Sequence, residues 1–346
     1  MKAARLYEAG KPLVIEQVPL PEVNAKDVLV AVKAAGICGT DVHIAIEGTL
    51  PVAKSPITLG HEGAGEVTAV GSEVTQWRVG DRVCIFGTIP CGECYACREG
   101  KEALCPKAQI LGMYVDGTFA EYIRIPEECL ISLPAGIAYP QAAIITDAVS
   151  TAYHAVAKRG RLQPGEKVAI FGCGGLGHHG IIFAKLMGAG KIVAVDIVPG
   201  MLKRAQQVGA DEIVNAAEED AADKIKHLTG GEGVHLALEF VGRRETVTAA
   251  LKSLRRGGRA VVVGVGRERV ETAPLYVFVG GEYALIGSMG SERNDLADVL
   301  SLVDSGKLDL SASVSETMPL EEVNSALGKI AMRTGDPLRI VVLPQG

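Results

Sequence analysis

The stretch KVAIFGCGGLGHHGIIFAKLMGAGKIVAVD, residues 167–196, decides the fold. It opens on a short apolar strand, KVAIF, and turns through Gly172, Cys173, Gly174, Gly175, Leu176 and Gly177. An apolar helix, HHGIIFAKLMGA, and a second strand, KIVAVD, follow. A G-x-G-x-x-G loop is weak evidence alone, but here it sits between a strand and a helix, as a dinucleotide site requires. The glycines allow a tight turn and let a pyrophosphate approach the helix N-terminus. The second strand ends in Asp196, 19 residues after Gly177. An acidic side chain there accepts hydrogen bonds from the adenosine ribose hydroxyls and repels a 2′-phosphate, so NAD is expected over NADP. The competing reading of Asp196 is a surface acid that ends a strand.

Downstream, the helix PGMLKRAQQVGA, the strand VHLALEFVG, the helix RETVTAALKSLRRGG and the strands RAVVVGVG and YALIGSMG continue the alternation. Strands and helices alternating over about 125 residues predict an α/β, doubly wound parallel sheet. Upstream, KDVLVAVKAAGI, GAGEVTAVG, GDRVCIF and FAEYIRI are apolar or alternating runs broken by glycine, the pattern of a β-rich domain. In the tail, LADVLSLVDSGKLDL reads as a helix and LRIVVLP as a last strand.

At 346 residues the chain is too long for one ordinary core, and about two domains are expected. The net charge of −6 gives no footprint for nucleic acid or an anionic membrane. No run of about 18 apolar residues suggests a membrane span. The start, MKAARLYEAGKPL, lacks the apolar stretch of a signal peptide, so the expected compartment is the cytoplasm. In that compartment, eight cysteines point to metal or catalysis rather than disulfides.

Cys91, Cys94, Cys97 and Cys105 form C-x2-C-x2-C-x7-C. Four thiolates so close together can surround one tetrahedral Zn²⁺ and leave no open position, so the site is expected to be structural. Iron–sulfur ligation is the rival, without a second cysteine group to support electron transfer. Four unrelated thiols would be an oxidation hazard. A second candidate set lies in Cys38 of GICGTDVH (36–43) and His61 of GHEGAG (60–65), since Cys and His are favoured zinc ligands. Each alone would read as a buried thiol and a satisfied core histidine.

GICGTDVH, GHEGAGEV, the four-cysteine lobe, GDRV (80–83) and the Gly-rich loop, in this order, resemble the zinc-containing medium-chain dehydrogenase/reductase superfamily, and within it the zinc-dependent alcohol dehydrogenases. The resemblance runs through the whole chain. It implies a GroES-like catalytic domain at 1–149 and 288–346, with the zinc lobe at about 88–108, and a Rossmann domain at 150–287. It implies two zinc ions per chain, one structural and one catalytic. Cys38 and His61 match the first two catalytic ligands, and Glu62 a carboxylate behind the metal that serves as an alternate ligand. Asp147 matches the third, where the animal liver-type enzymes carry Cys; its competing reading is a helix N-cap. Asp41 is expected to accept a hydrogen bond from His61, or else to form a turn.

Thr40 matches a residue that bonds the substrate hydroxyl, which zinc makes acidic, and His43 matches the outer end of the proton path. The bland readings are a β-favouring Thr40 and a plain surface His43. Thr151, Val263 and Arg339 match contacts to the nicotinamide, its carboxamide and the pyrophosphate. The activity implied is reversible hydride transfer between a small alcohol and NAD, in a homo-oligomer, either a tetramer or a dimer. A polyol or L-threonine dehydrogenase would suit the same motifs. A zinc-free NADPH-binding protein and a redox-sensing zinc protein both leave Cys38, His61 and Asp147 unexplained. Cys84, Cys129 and Cys173 have no assigned task, and Trp77, Met113 and Tyr114 are candidates for the substrate pocket without a pattern that selects among them.

Overall fold

The computed structural model describes residues 1–346, which divide into two compact units, 1–150 with 291–346 and 151–290.

The second unit is built on a six-stranded sheet. Its strands lie in the order Glu212–Asn215, Lys191–Asp196, Lys167–Phe171, Val234–Glu239, Leu254–Val262 and Ala284–Gly287. Every neighbouring pair is parallel. In chain order this is 3-2-1-4-5-6, the doubly wound arrangement whose ligands bind at the carboxyl ends where the order reverses. The apolar runs explain it: Val168, Ala169 and Ile170 are fully buried because a parallel sheet is covered on both faces. The helix Gly175–Leu186 follows the first strand, with Gly174 as its N-cap. The strand Glu212–Asn215 and the helix Ala221–Leu228 have no counterpart in the sequence reading. The strand is a four-residue edge strand whose flanking Asp211 and Glu212 resemble loop.

The first unit holds a seven-stranded sheet centred on Asp27–Ile37, which pairs antiparallel with Gly63–Val70, Tyr122–Pro126 and Ile340–Leu343. The C-terminal strand sets Ile340 opposite Ile37, so residues more than 300 apart form one sheet. Their shared core includes Val28, Val30, Val32, Ile37, Ile340 and Val342.

Two short helical segments carry candidate site residues. Strand Asp27–Ile37 ends one residue before Cys38, and Gly39–Ala45 is a short helix with Cys38 as its N-cap. A second helical run starts at Tyr139, after Ala138 as N-cap with Pro140 in the first turn. Pro suits that place because its missing N–H would be unpaired there anyway. The run is π-helical over Ile145–Val149. Asp147 therefore lies inside a helix, which excludes the N-cap reading. No helix is long and apolar enough to cross a membrane.

Candidate metal centres and dinucleotide loop

The four-cysteine lobe is local in origin. The short helix Tyr95–Arg98 and the 3-10 turn Glu102–Leu104 fold the chain back, so the Sγ atoms of Cys91, Cys94, Cys97 and Cys105 all lie within 4.8 Å of one another. Cys91 and Cys97 are 3.9 Å apart, and Cys94 and Cys97 3.4 Å. Two thiolates each bound to a tetrahedral Zn²⁺ lie about 3.8 Å apart, so the spacing fits that ion. Without a cation the thiols conflict. The Glu93 amide pulls Cys91 down to about 6, while desolvation and the neighbouring thiols push Cys97 up to about 12. A dication resolves this by favouring the thiolate at all four. The Ala103 amide donates to Glu292 and ties the lobe to the C-terminal segment. Cys97→Ser should therefore lower the melting temperature, since a closed thiolate site contributes folding energy, and leave cofactor affinity intact. Unchanged melting with lost turnover would contradict a structural lobe.

The second set is assembled from three parts of the first unit. Cys38 comes from the end of strand Asp27–Ile37, His61 and Glu62 from the segment before Gly63–Val70, and Asp147 from the π-helical turn. Their ligand atoms lie within 4.8 Å of one another. Asp147 Oδ2 is 3.3 Å from Cys38 Sγ and 3.7 Å from His61 Nε2. Single π turns occur often at functional sites, where they re-aim one side chain. Thr146 anchors this one: its hydroxyl donates to the Ala143 carbonyl and accepts from the Gly63 amide at 3.2 Å, which ties the Asp147 helix to the start of strand Gly63–Val70, next to Glu62.

Asp41 caps the short helix through one carboxyl oxygen and turns the other toward His61. Its Oδ2 accepts from the Cys38 amide at 2.9 Å and so caps the helix. Its Oδ1 faces His61 Nδ1 at 3.5 Å, which orients the imidazole with Nε2 toward Asp147. Thr40 Oγ1 lies 3.7 Å from Cys38 Sγ. His43 is on the same helix, 40% exposed, with Nδ1 2.7 Å from Glu47 Oε2.

Glu62 is fully buried behind the set, and Gly36 makes room for it, since a Cβ there would lie 1.8 Å from Glu62 Oε2. Arg339 is 3% exposed and also lies there. Its Nη2 is 2.9 Å from Glu62 Oε1 and 3.5 Å from Asp147 Oδ2, and its Nη1 donates to the Ile37 carbonyl. The guanidinium that the resemblance assigns to a pyrophosphate is thus engaged with the two carboxylates. Burial raises Glu62 to about 8 against the pull of Arg339. Burial also pushes the Asp147 carboxyl up, but His61 and Arg339 outweigh it and hold it well below the usual range. Burial disfavours a charged His61, yet Asp41 and Asp147 raise its pKa well above the ordinary value. Asp41 Oδ1 and both Glu62 oxygens are buried without a hydrogen bond. A thiol, an imidazole and a carboxylate converging within 4.8 Å fit a Zn²⁺ held by Cys38, His61 and Asp147. A carboxylate in place of a thiolate makes the set harder and richer in oxygen.

In the second unit, the Gly-rich turn has glycines of two kinds. Gly172 has φ +85°, and a Cβ on Gly177 would lie 1.7 Å from the Gly172 carbonyl, so the fold itself requires both. Gly174 has nothing within 4 Å of a Cβ, so the space over it is open to a ligand. Gly175, Leu176 and Gly177 form the first turn of the following helix. Asp196 ends the second strand, 8% exposed. Its Oδ2 accepts from the Cys173 amide at 2.7 Å, and its Oδ1 from the Ile197 and Val198 amides at 2.7 and 3.0 Å. Thr151 is buried, and the Val263 amide donates to the Glu239 carbonyl, leaving only the Val263 carbonyl for a carboxamide. The sequence reading missed Gly36, Thr146 and Glu239. An acid ending the apolar strand VHLALE was the one signal that could have found Glu239.

A doubly wound dinucleotide-type unit joined to a unit with one closed and one open metal-ligand set defines a class, the metal-dependent dehydrogenases. The alcohol dehydrogenase GroES-like domain family matches residues 24–135, and the zinc-binding dehydrogenase family matches residues 175–305. The chain is 36% identical to a sorbitol dehydrogenase of Bacillus subtilis, over 99% of this chain and 97% of that protein. It is 39% identical to an alcohol dehydrogenase of Geobacillus stearothermophilus, over 95% and 96%. The structure of alcohol dehydrogenase TADH from Thermus sp. ATN1 superposes with a TM-score of 0.93 at 32% identity, covering 99% of each chain. The chain belongs to the zinc-dependent medium-chain dehydrogenase/reductase superfamily.

Proposed function

We propose that the chain is a zinc-containing, NAD-dependent alcohol dehydrogenase that transfers hydride reversibly between a primary or secondary alcohol and NAD. The observation that carries this reading is the convergence of Cys38, His61 and Asp147 with the Thr40 hydroxyl beside them. Bound by these three ligands, Zn²⁺ would act as a Lewis acid toward the alcohol oxygen. Thr40 would accept the alcohol proton at Oγ1 and pass its own hydroxyl proton outward toward the His43 imidazole, the outer end of the path. His43, half exposed with Nδ1 on Glu47, exchanges protons with water through its other nitrogen. Thr40→Ala should abolish most activity and Thr40→Ser should retain it; full activity in the alanine variant rules out this path.

A polyol substrate is the second reading, favoured by the likeness to a sorbitol dehydrogenase across the whole chain. Initial rates on a panel of primary, secondary, aromatic and polyol alcohols separate the two. We also propose a homo-oligomer, a tetramer or a dimer, working in the cytoplasm, where reduced thiols stay available to zinc. The helix Leu275–Gly280 leaves Leu275 and Tyr276 77% and 81% exposed beside the edge strand Ala284–Gly287, a surface of the kind that a second copy covers. Native mass spectrometry tests both assembly and metal. About two zinc ions per chain are expected, and one in Cys38→Ser. One zinc in the unmodified protein, unchanged by that substitution, would defeat the catalytic assignment.

A further inference from the structure

Glu239 ends the strand Val234–Glu239, next to the first strand of the sheet, where Phe171 is its register partner. It is fully buried. One carboxyl oxygen gathers three donors: the Val241 amide at 2.8 Å, the Gly242 amide at 2.8 Å and the Thr246 hydroxyl at 2.7 Å. The other, Oε2, is buried with no partner. The backbone carbonyl of the same residue accepts from the Val263 and Gly264 amides at 2.8 and 3.1 Å. One residue therefore fixes both loops that leave the carboxyl ends of the fourth and fifth strands.

These loops in turn press on the Gly-rich turn and on each other. A Cβ on Gly172 would lie 2.6 Å from Val241 Cγ2, and one on Gly264 would lie 2.0 Å from the Gly242 amide nitrogen. The Phe240 amide donates to the Phe171 carbonyl. Where Val241 sits decides how much room Gly172 has. A buried carboxyl with an unpaired oxygen costs stability, and the three donors on its other oxygen offset part of that cost. Burial raises its pKa, with no cation beside it to oppose the shift.

We infer that Glu239 is a positioning residue of the dinucleotide site, which presets the 240–246 and 263–266 loops against the Gly-rich turn before the cofactor binds. The inference rests on the proposed dinucleotide reading. Preorganisation of this kind sets affinity, because loops already in place lose less freedom on binding.

The test is NADH binding, followed by nucleotide fluorescence, with steady-state rates beside it. Glu239→Leu removes the acceptor for all three donors. It should weaken NADH binding at least about tenfold and raise KM for NAD similarly, while kcat at saturating NAD stays within about threefold. Glu239→Gln keeps the accepting oxygen and should restore affinity to within about twofold. Thr246→Val removes one donor near the surface and should weaken binding about threefold, which keeps the test open should the leucine variant fail to fold. Unchanged NADH affinity in Glu239→Leu, or in Thr246→Val should that one alone fold, overturns the inference. So does an equal fall in kcat and affinity in both Glu239 variants. An unmodified protein that binds neither NADH nor NADPH would instead defeat the dinucleotide reading itself.

Discussion

Asp147→Asn should lower turnover by roughly a hundredfold or more while one zinc per chain remains in the four-cysteine lobe. The substitution keeps size and shape, so the helical run that carries it can stay as it is. What it removes is charge. Asp147 Oδ2 is the atom that approaches Cys38 Sγ, His61 Nε2 and Arg339 Nη2, at 3.3, 3.7 and 3.5 Å. With Asp147 neutral, the thiolate of Cys38 alone would balance a Zn²⁺ among its direct ligands, and Arg339 would face Glu62 as its one close carboxylate. Zinc analysis of the purified variant and initial rates with added zinc check this. Near-normal activity would show that Glu62, fully buried beside the same set, serves as the third ligand. Loss of both zinc ions would mean that Asp147 holds the fold rather than the metal.

The parts of this molecule that were legible in the sequence are those whose chemistry is local. The strand at 167–171, its Gly-rich turn and the strand at 191–196 announce themselves by apolar runs and glycines. The four-cysteine lobe does so because its ligands fall within 15 residues of one another. The second metal set is different. Cys38, His61 and Asp147 are brought together by sheet pairing and a π-helical turn, and no spacing rule states that. Resemblance supplied it. The π turn was unreadable because ITDAVSTAYHA has ordinary helical composition, and one extra residue in a turn leaves no mark on the apolar pattern. Gly36 was unreadable for a related reason. Its need arises from Glu62 across the sheet, 26 residues later in the chain. The place of Arg339 was hidden too, since it depends on the last strand pairing with Asp27–Ile37.

If Asp196 faces the adenosine ribose, as the proposed function requires, NAD should be preferred over NADP by at least about a hundredfold in kcat/KM. A carboxylate at the end of the second strand can accept hydrogen bonds from the adenosine ribose, each worth about 1.5–3 kcal/mol when charge-assisted. NADP would lose those bonds and set a phosphate dianion beside a carboxylate, which is repulsive at any dielectric. Since about 1.4 kcal/mol gives each factor of ten, two such bonds account for the hundredfold. The carboxylate is also held in place. Three backbone amides, of Cys173, Ile197 and Val198, donate to it, so it is fixed in orientation, and it latches the Gly-rich turn to the second strand. Asp196→Gly should therefore harm NAD use doubly, by removing the ribose acceptor and by releasing the Cys173 amide. NADP use should improve little, because nothing there binds a phosphate. Ile197 is 60% exposed just beyond, so Ile197→Arg added to Asp196→Gly should raise NADP use by offering a bidentate partner. The deciding measurement is kcat/KM for both cofactors with one alcohol. Equal use of NADP and NAD by the unmodified enzyme would mean that the Asp196 oxygens are spent on the three amides and none faces the ribose.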